Sequence, residues 1–235
     1  MLFRSYENIV LLRLNSDNSY NEFGPGFSRL VWRAFCVGDT LKDLKSGIRV
    51  CLRNPEDGFR IVDESWQQLL RIFEQGDLDT ELPKALEQMS VRLSRLPRLR
   101  DVDQIQKVLI VGEIFVRRDD FSISPLVDRL KEWGILTRIS GLTEWIHYLD
   151  FMREQRLVAE LNSAGLFGRL SSGYYLQRAM LKIEFAWKHA KQKAIEDAVR
   201  ISGLLPAAPA DMVRIMSRVP EFTTIDFESE ATLSP

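Results

Sequence analysis

The most constraining feature of the sequence is an apolar run at 108–116 (VLIVGEIFV), followed by a helical segment and a second apolar run at 135–140 (ILTRIS). A run without polar alternation is typical of a strand that is buried on both faces of a parallel sheet. Between the two runs, Ser124 and Pro125 predict a helix start, and Gly134 predicts its end. The order strand, helix, strand therefore predicts a βαβ unit with parallel strands and a right-handed crossover.

The rest of the chain is predicted to be mostly helical. Residues 9–14 (IVLLRL) predict a third strand, because they are apolar and are followed by a segment rich in turn formers. Apolar residues spaced by three and four predict helices over 27–47, over 61–75, over 81–95, from Thr143 onwards, and over 174–202. We expect a helix-rich α/β fold whose small parallel sheet, of about three strands, forms an incomplete Rossmann-like lobe.

The chain is predicted to divide into three regions that together form one domain. Residues 1–100 are mainly helical with one N-terminal strand, residues 101–165 hold the βαβ unit, and residues 166–235 hold the long helix and an irregular tail. Three strands are few, since sheets commonly hold ~4–6, and an uncovered edge pairs readily with another strand. We therefore expect either a segment of a longer polypeptide or a homodimer.

Composition excludes several classes of function. The 32 basic and 33 acidic residues give a net charge of −1, which provides no global field to attract nucleic acid. No apolar run reaches the ~18–20 residues needed to cross a bilayer, so no membrane partner is expected. Cys36 and Cys51 form neither a CxxC pair nor a disulfide framework, which predicts a cytoplasmic protein with no metal site. Periodicity places Cys36 in a buried helix stripe.

Polar residues follow both strands of the predicted βαβ unit. In open parallel sheets the ligand crevice lies at the carboxyl ends of the strands. The candidate ligand-binding residues at these strand exits are Glu113, Arg117, Arg118, Asp119, Asp120, Thr143 and Glu144.

Three of the residues near the strand exits could also act in catalysis. Glu113 and Glu144 could face each other as an acid and a base, and His147 could act as a general base. Alternatively, the glutamates pair with arginines or helix-start amides and only hold the loops, and His147 packs beside Trp145 and Tyr148. Both interpretations remain open at this point.

Two basic segments and one long helix complete the candidates. The run 91–100 (VRLSRLPRLR) holds four arginines that either bind a phosphate or acidic partner or form a solvated helix end. His189 lies among lysines, which is typical of a solvated helix face. The helix over 174–202 would serve as a docking element if it exposes a contiguous apolar patch.

Three motifs, VGEIFVRRDDFS (111–122), VDRLKEWGI (127–135) and TEWIHYLDFM (143–152), together resemble the 2-hydroxyglutaryl-CoA dehydratase superfamily. The closer likeness is to the dehydratase-like portion of the large acyl-CoA dehydratase activase-related proteins. WRAFCVGDTLKDL (32–44), LRNPEDGFRIVDESW (52–66) and ESEATLS (228–234) are similar to further elements of that family.

The resemblance implies a Rossmann-like lobe from an ATP-driven, iron–sulfur-dependent electron-transfer system that dehydrates 2-hydroxyacyl-CoA esters. Glu113, Arg117 and Glu144 occupy family-like positions, whereas Ser229 replaces a glycine. The ATP-binding modules and the cysteine-bearing segment of the family have no counterpart in this sequence. The expected partners are therefore other domains or subunits of the dehydratase/activase system and an acyl-CoA. The iron–sulfur cluster and ATP are expected only on missing regions or partners.

The sequence thus leads to one main expectation about function and two alternatives. The main expectation is a dehydratase-like domain that binds or docks partners, without a cluster or ATP site of its own. The alternatives are an autonomous small-molecule enzyme that uses Glu113 and Glu144, and a helical protein-interaction module.

Overall fold

The computed structural model describes residues 25–113, 115, 119–163 and 172–206. These residues form six α-helices and two strands, and their bounds in chain order are α1 Pro25–Cys51, α2 Pro55–Gln75, α3 Glu81–Ser94, β1 Lys107–Ile110, α4 Asp120–Glu132, β2 Leu136–Ile139, α5 Leu142–Ser163 and α6 Ser172–Arg200. A short 3-10 turn, Val102–Gln104, precedes β1. The helix-rich α/β character is confirmed. The predicted strand at 9–14 lies outside the described residues.

The sheet of the described residues has two parallel strands. β1 pairs with β2 in a register that runs from Lys107 opposite Leu136 to Ile110 opposite Ile139. Helix α4 connects the two strands, as the predicted βαβ unit requires. The division of the chain into three regions and the Rossmann-like lobe stay predictions.

The core lies mainly between the helices. Helices α1, α2, α3 and α6 pack together, and β2 adds Leu136. The side chains that are almost fully buried include Leu44, Ile48, Leu86, Leu93, Val199 and Leu204. Helix α1 of this layer packs against β2.

Capping residues determine where helix α2 begins and ends. The Asn54 side chain accepts a hydrogen bond from the Glu56 amide, Pro55 occupies the first turn, and Gly76 closes the helix with a positive φ of 82°. The predicted start at residue 61 is six residues late, because the Asn-Pro start signal precedes the apolar periodicity.

Helix α1 differs from its prediction at its end and in its buried face. The helix continues through Gly47 to Cys51, and a Cβ at Gly47 would lie 1.8 Å from the Leu204 carbonyl oxygen. Gly47 therefore permits a close approach of two backbones and does not end the helix. Cys36 is buried as predicted, as are Leu41 and Leu44, whereas Ala34 in the same apolar spacing is exposed.

Two predictions about the βαβ unit are wrong. The side chain of Asp119, not Ser124, caps α4, and Pro125 lies inside the helix. The first strand is shorter than the predicted run and is not buried on both faces, since Val108 and Leu109 are each 37% exposed. Successive residues of a strand point to opposite faces, so both faces of β1 are partly open.

The described helices also bear on membrane insertion. None of those helices combines the length and the apolarity that a bilayer crossing needs.

Candidate functional site

The exit of β2 brings three helices and a strand into contact. The Thr143 amide and hydroxyl both donate to Oδ2 of Asp39, each at 2.8 Å. Thr143 lies at the start of α5, whereas Asp39 lies in the middle of α1. The Asp39 carboxylate therefore accepts from one of the free amides at the start of α5 and lies at the positive end of the helix dipole.

Arg138 of β2 bridges two carboxylates at this exit. Its Nε donates to Oδ2 of Asp43 at 2.7 Å, and its Nη2 lies 3.0 Å from Oε1 of Glu144, close enough for an ion pair but without hydrogen-bond geometry. The other oxygen of Glu144 accepts from the Ser140 hydroxyl at 2.5 Å. Glu144 is therefore held by neighbouring side chains of the same exit.

Asp43 has the most informative pKa at this exit. Burial raises its pKa from 3.8 to about 6, and the Arg138 guanidinium opposes that shift only in part. The Asp43 and Arg138 side chains are only 15% and 18% exposed, so desolvation of the charged carboxylate is substantial.

A small polar cavity lies beside these residues. Its volume is about 30 Å³, and its lining includes Cys36, Asp39, Asp43, Arg138, Gln192 and Glu196. A cavity of that size holds about two water molecules, whereas small-molecule sites commonly measure ~300–1,000 Å³. Burial raises the pKa of the Cys36 thiol far above its ordinary value, so this thiol is not an activated nucleophile. Neither predicted glutamate lines this cavity.

The exit of β1 is exposed. The Glu113 carboxylate accepts from the Phe115 amide at 2.7 Å, and Asp119 accepts from the Phe121 and Ser122 amides. The Ser122 hydroxyl holds the pKa of Asp119 below its ordinary value. Arg117 and Arg118, and the side chain of Asp120, lie outside the described residues. The contacts of Glu113, Asp119 and Glu144 are of the kind that hold loops, and their role in ligand binding or acid–base chemistry stays a prediction.

His147 lies between α5 and α6. Its Nε2 is 2.7 Å from Oε1 of Gln192, its ring stacks on His189 with centroids 4.3 Å apart, and the Trp32 ring meets its edge at 5.1 Å. His189 is exposed, as its lysine-rich surroundings predict, but its ring face contacts another imidazole. These contacts correspond to the packed alternative for His147, and its catalytic role stays untested.

Two of the four arginines in 91–100 form side-chain ion pairs or hydrogen bonds with other parts of the chain. Arg92 pairs with Glu64, and Arg98 donates to the carbonyls of Ser202 and Gly203 at 2.5 and 3.1 Å. Arg98 therefore caps the carboxyl end of α6, which the sequence pattern did not reveal. Within the described part of the chain, no group of three or more His, Cys, Asp or Glu side chains could hold a metal ion.

A groove of about 330 Å³ lies at the opposite edge of the sheet, and its lining includes Leu99, Arg100, Ile105, Trp133 and Gly134. This edge carries the amino ends of the strands, where open parallel sheets do not usually bind ligands. No sequence pattern indicated this groove, because Trp133 belongs to an apolar helix face that predicted burial.

An exposed apolar surface lies on the amino half of α6. Tyr175, Leu176, Met180 and Ile183 are 56–70% exposed, whereas Ile195, Ala198 and Val199 in the carboxyl half are buried. The predicted helix has nearly the right bounds, but the face that enters the core, with Ile195 and Val199, is not the face that carries the exposed residues. The exposed residues define a surface that we name the α6 stripe: Tyr175, Leu176, Ala179, Met180, Ile183, Ala186 and Ala190.

Comparisons with known proteins found no match among family models, curated proteins or solved structures.

Proposed function

We propose that this protein is a docking module that binds an amphipathic helix of a partner protein along the α6 stripe. The observation that carries the proposal is the exposure of Leu176, Met180 and Ile183 on one helix face. Isolated apolar side chains on a surface need no explanation, but a contiguous row of large ones marks an interaction site.

The spacing of the α6 stripe fits a second helix. Leu176, Ile183 and Ala190 are seven residues apart, and Ala179 and Ala186 lie three residues after the first two. Apolar residues at these alternating intervals of three and four form the seam along which two helices supercoil. The alanines let the second helix approach closely. The stripe spans 16 residues from 175 to 190, or about 24 Å of helix.

Charge favours a partner with acidic residues beside its own seam. Lys182 is exposed at the edge of the α6 stripe, and His189 follows seven residues later on the same edge. These are the flanking positions that set partner choice in paired helices. An antiparallel second copy would place Lys182 near its own counterpart, which is unfavourable, so a different protein is the better occupant.

The setting that we propose is the dehydratase/activase system suggested by the motifs at 111–122, 127–135 and 143–152. Those motifs are the support for it, and for a Rossmann-like lobe with a third strand at 9–14. The 30 Å³ cavity at the β2 exit is far too small for an acyl-CoA, so the proposed role in that system is partner docking. Two free, buried cysteines fit a reducing cytoplasm.

The test uses two synthetic helical peptides of three heptads, with leucine at the seam positions and either glutamate or lysine at all flanking positions. Fluorescence anisotropy measures their binding to the full chain. We expect the glutamate peptide to bind more tightly than the lysine peptide. Leu176→Glu and Ile183→Glu should weaken binding about tenfold or more, which corresponds to ~1.4 kcal/mol.

Two controls separate docking from general stickiness. Leu99→Glu changes an equally exposed leucine outside the α6 stripe and should bind as the unmodified chain does. Lys182→Glu should reverse the preference between the peptides. Equal binding of both peptides, or unchanged binding by the stripe variants, would refute the proposal. A dimer that Ile183→Glu dissociates would make a second copy the occupant and refute it as well.

A further inference from the structure

We propose that the groove at the amino edge of the sheet is a binding site for a small aromatic carboxylate. In this site Arg100 pairs with the carboxylate, and the indole ring of Trp133 stacks on the aromatic ring of the ligand. The inference is independent of the α6 stripe. It rests on the charge, the exposed apolar area and the fixed backbone of the groove.

The guanidinium of Arg100 lies in the groove with its donors unused. A Cβ built on Gly134 would collide with Nη1 of Arg100 and would lie 3.1 Å from Cζ and 3.3 Å from Nη2, so the guanidinium lies over the Gly134 backbone. Within the described part of the chain, Arg92 and Arg98 have internal partners, whereas Arg100 forms no side-chain hydrogen bond or ion pair. The planar fork of an arginine matches the two oxygens of a carboxylate.

The charge of the groove favours a monoanion. Arg100 is the only charged residue among the described residues that line it, and Gln104 and Gln106 contribute neutral amides. The neighbouring acid, Asp101, already accepts from the Asp103 amide at 3.1 Å. One positive charge balances one carboxylate, whereas a phosphate monoester carries about −1.5 to −2. A carboxylate is therefore the better match.

Large apolar side chains accompany Arg100 along the groove. Trp133 is 68% exposed and Leu99 is 60% exposed, and the indole offers a flat face for stacking on an aromatic ring. Ile105, which is buried, and Ile135, which is half-buried, add further apolar surface to the lining. The volume of about 330 Å³ lies within the range of ~300–1,000 Å³ that is common for small-molecule sites.

Backbone hydrogen bonds hold both walls of the groove. On one wall, the amides of Leu99 and Arg100 donate to the Cys51 carbonyl at 2.7 and 3.4 Å. On the other wall, the Gly134 amide donates to the Lys131 carbonyl at 2.8 Å. The first wall leads into β1 and the second into β2, so the pairing of these strands joins the two walls. A groove that is held in this way loses little conformational entropy when a ligand binds.

The carboxyl edge of the sheet, where open parallel sheets usually bind ligands, offers much less room. Its cavity measures about 30 Å³. Its carboxylates Asp39 and Asp43 already contact Thr143 and Arg138. The amino edge therefore provides the larger volume and the unpaired arginine.

The test follows 2-naphthoate binding to the full chain by proton–nitrogen NMR of the tryptophan indole groups. The chain has five tryptophans, and the spectrum of Trp133→Phe identifies the signal of Trp133. We expect 2-naphthoate to shift this signal saturably, with a Kd of about 1 mM or below. 2-Naphthamide has the same rings without the charge, and acetate lacks the rings, so each should bind about tenfold more weakly or worse.

Variants of Arg100 test the pairing with the carboxylate. Arg100→Gln should weaken 2-naphthoate binding about tenfold or more, and Arg100→Lys should restore only part of it, because an ammonium group lacks the planar fork. Arg95→Gln changes an exposed arginine outside the groove and should bind as the unmodified chain does. Thermal midpoints of the variants show whether each one is folded.

Several results would overturn the proposal. They include no saturable shift of the Trp133 signal, equal binding of 2-naphthamide, and unchanged binding by Arg100→Gln. Tighter binding of 2-naphthyl phosphate would make the ligand a phosphate ester and so refute a carboxylate. Tighter binding of an acetylated tripeptide that ends in phenylalanine would assign the groove to a protein C-terminus and refute a small-molecule ligand.

Discussion

A single methyl group added to α1 should have opposite effects at two of its glycines. At Gly38 a Cβ would meet nothing within 4 Å, whereas at Gly47 it would lie 1.8 Å from the Leu204 carbonyl oxygen and 2.9 Å from the carbonyl carbon. Both positions lie inside the same helix, so the gain in intrinsic helix propensity is the same for each.

The expected magnitudes follow from these surroundings. Gly38→Ala should raise the free energy of unfolding by ~0.5–1 kcal/mol, because alanine loses less backbone entropy on folding than glycine. Gly47→Ala gains the same free energy from helix propensity, but its new methyl group must displace the backbone of Leu204, a fully buried residue. Overpacking of this kind costs ~1–3 kcal/mol or more, so Gly47→Ala should be destabilised overall.

Urea denaturation of the two variants and the unmodified chain measures both effects, provided that the slope of the free energy against urea concentration stays constant. Hydrogen exchange at 202–205 should also accelerate in Gly47→Ala only. Equal stabilisation by both substitutions would show that α1 does not touch the Leu204 backbone, and the account of Gly47 would be wrong.

Four further predictions concern the charge of Asp43, the buried thiol of Cys36, iron–sulfur reconstitution and the capping of α6. The pKa of Asp43 rises from 3.8 to about 6 on folding, so the folded state binds more protons than the unfolded state between those pH values. The free energy of unfolding should therefore fall as pH rises through that window. Asp43→Asn should remove this pH dependence, and an identical dependence in both chains would refute the prediction. Cys36→Ser should cost ~1–3 kcal/mol, measured by urea denaturation, because a hydroxyl replaces a buried apolar thiol. The chain should also stay colourless after anaerobic iron–sulfur reconstitution, and an absorption band near ~400 nm with about four irons per chain or dimer would contradict that. Arg98→Ala should lower the thermal midpoint, at a cost of ~1 kcal/mol for the lost hydrogen bonds to Ser202 and Gly203, whereas the exposed Arg95→Ala should be close to neutral.

Local signals predicted several elements well. The apolar spacing and Pro97 gave 81–95 for a helix that spans Glu81–Ser94, and the run at 135–140 contains the strand Leu136–Ile139. These elements combine a clear period with a clear stop signal. The bounds of such segments depend on nearby residues, so one sequence suffices to place them.

Burial was harder to predict than secondary structure. The run at 108–116 is apolar whether or not another element covers it, and β1 is in fact partly open on both faces. The α6 stripe is apolar as well, but it lies on a different face of that helix from the buried Ile195 and Val199. Apolar periodicity identifies a face that avoids water, but it does not identify what covers that face.

Only some of the residues that meet at the β2 exit could be predicted from the sequence. Thr143 and Glu144 were expected there, but Asp39 and Asp43 come from α1, about 100 residues earlier in the chain, and no local pattern links them to β2. One residue of β2 does indicate such contacts. Arg138 is a charged residue within an otherwise apolar strand, and a buried arginine requires carboxylate partners.

The contact between Asp39 and the start of α5 affects whether an external anion can bind there. The start of a helix is a ready anion site, and here the chain fills it with its own carboxylate. An external phosphate or carboxylate would therefore compete with an internal anion that never diffuses away. To bind there, it would have to displace Asp39, so a bound external anion and the contact of Asp39 with Thr143 exclude each other.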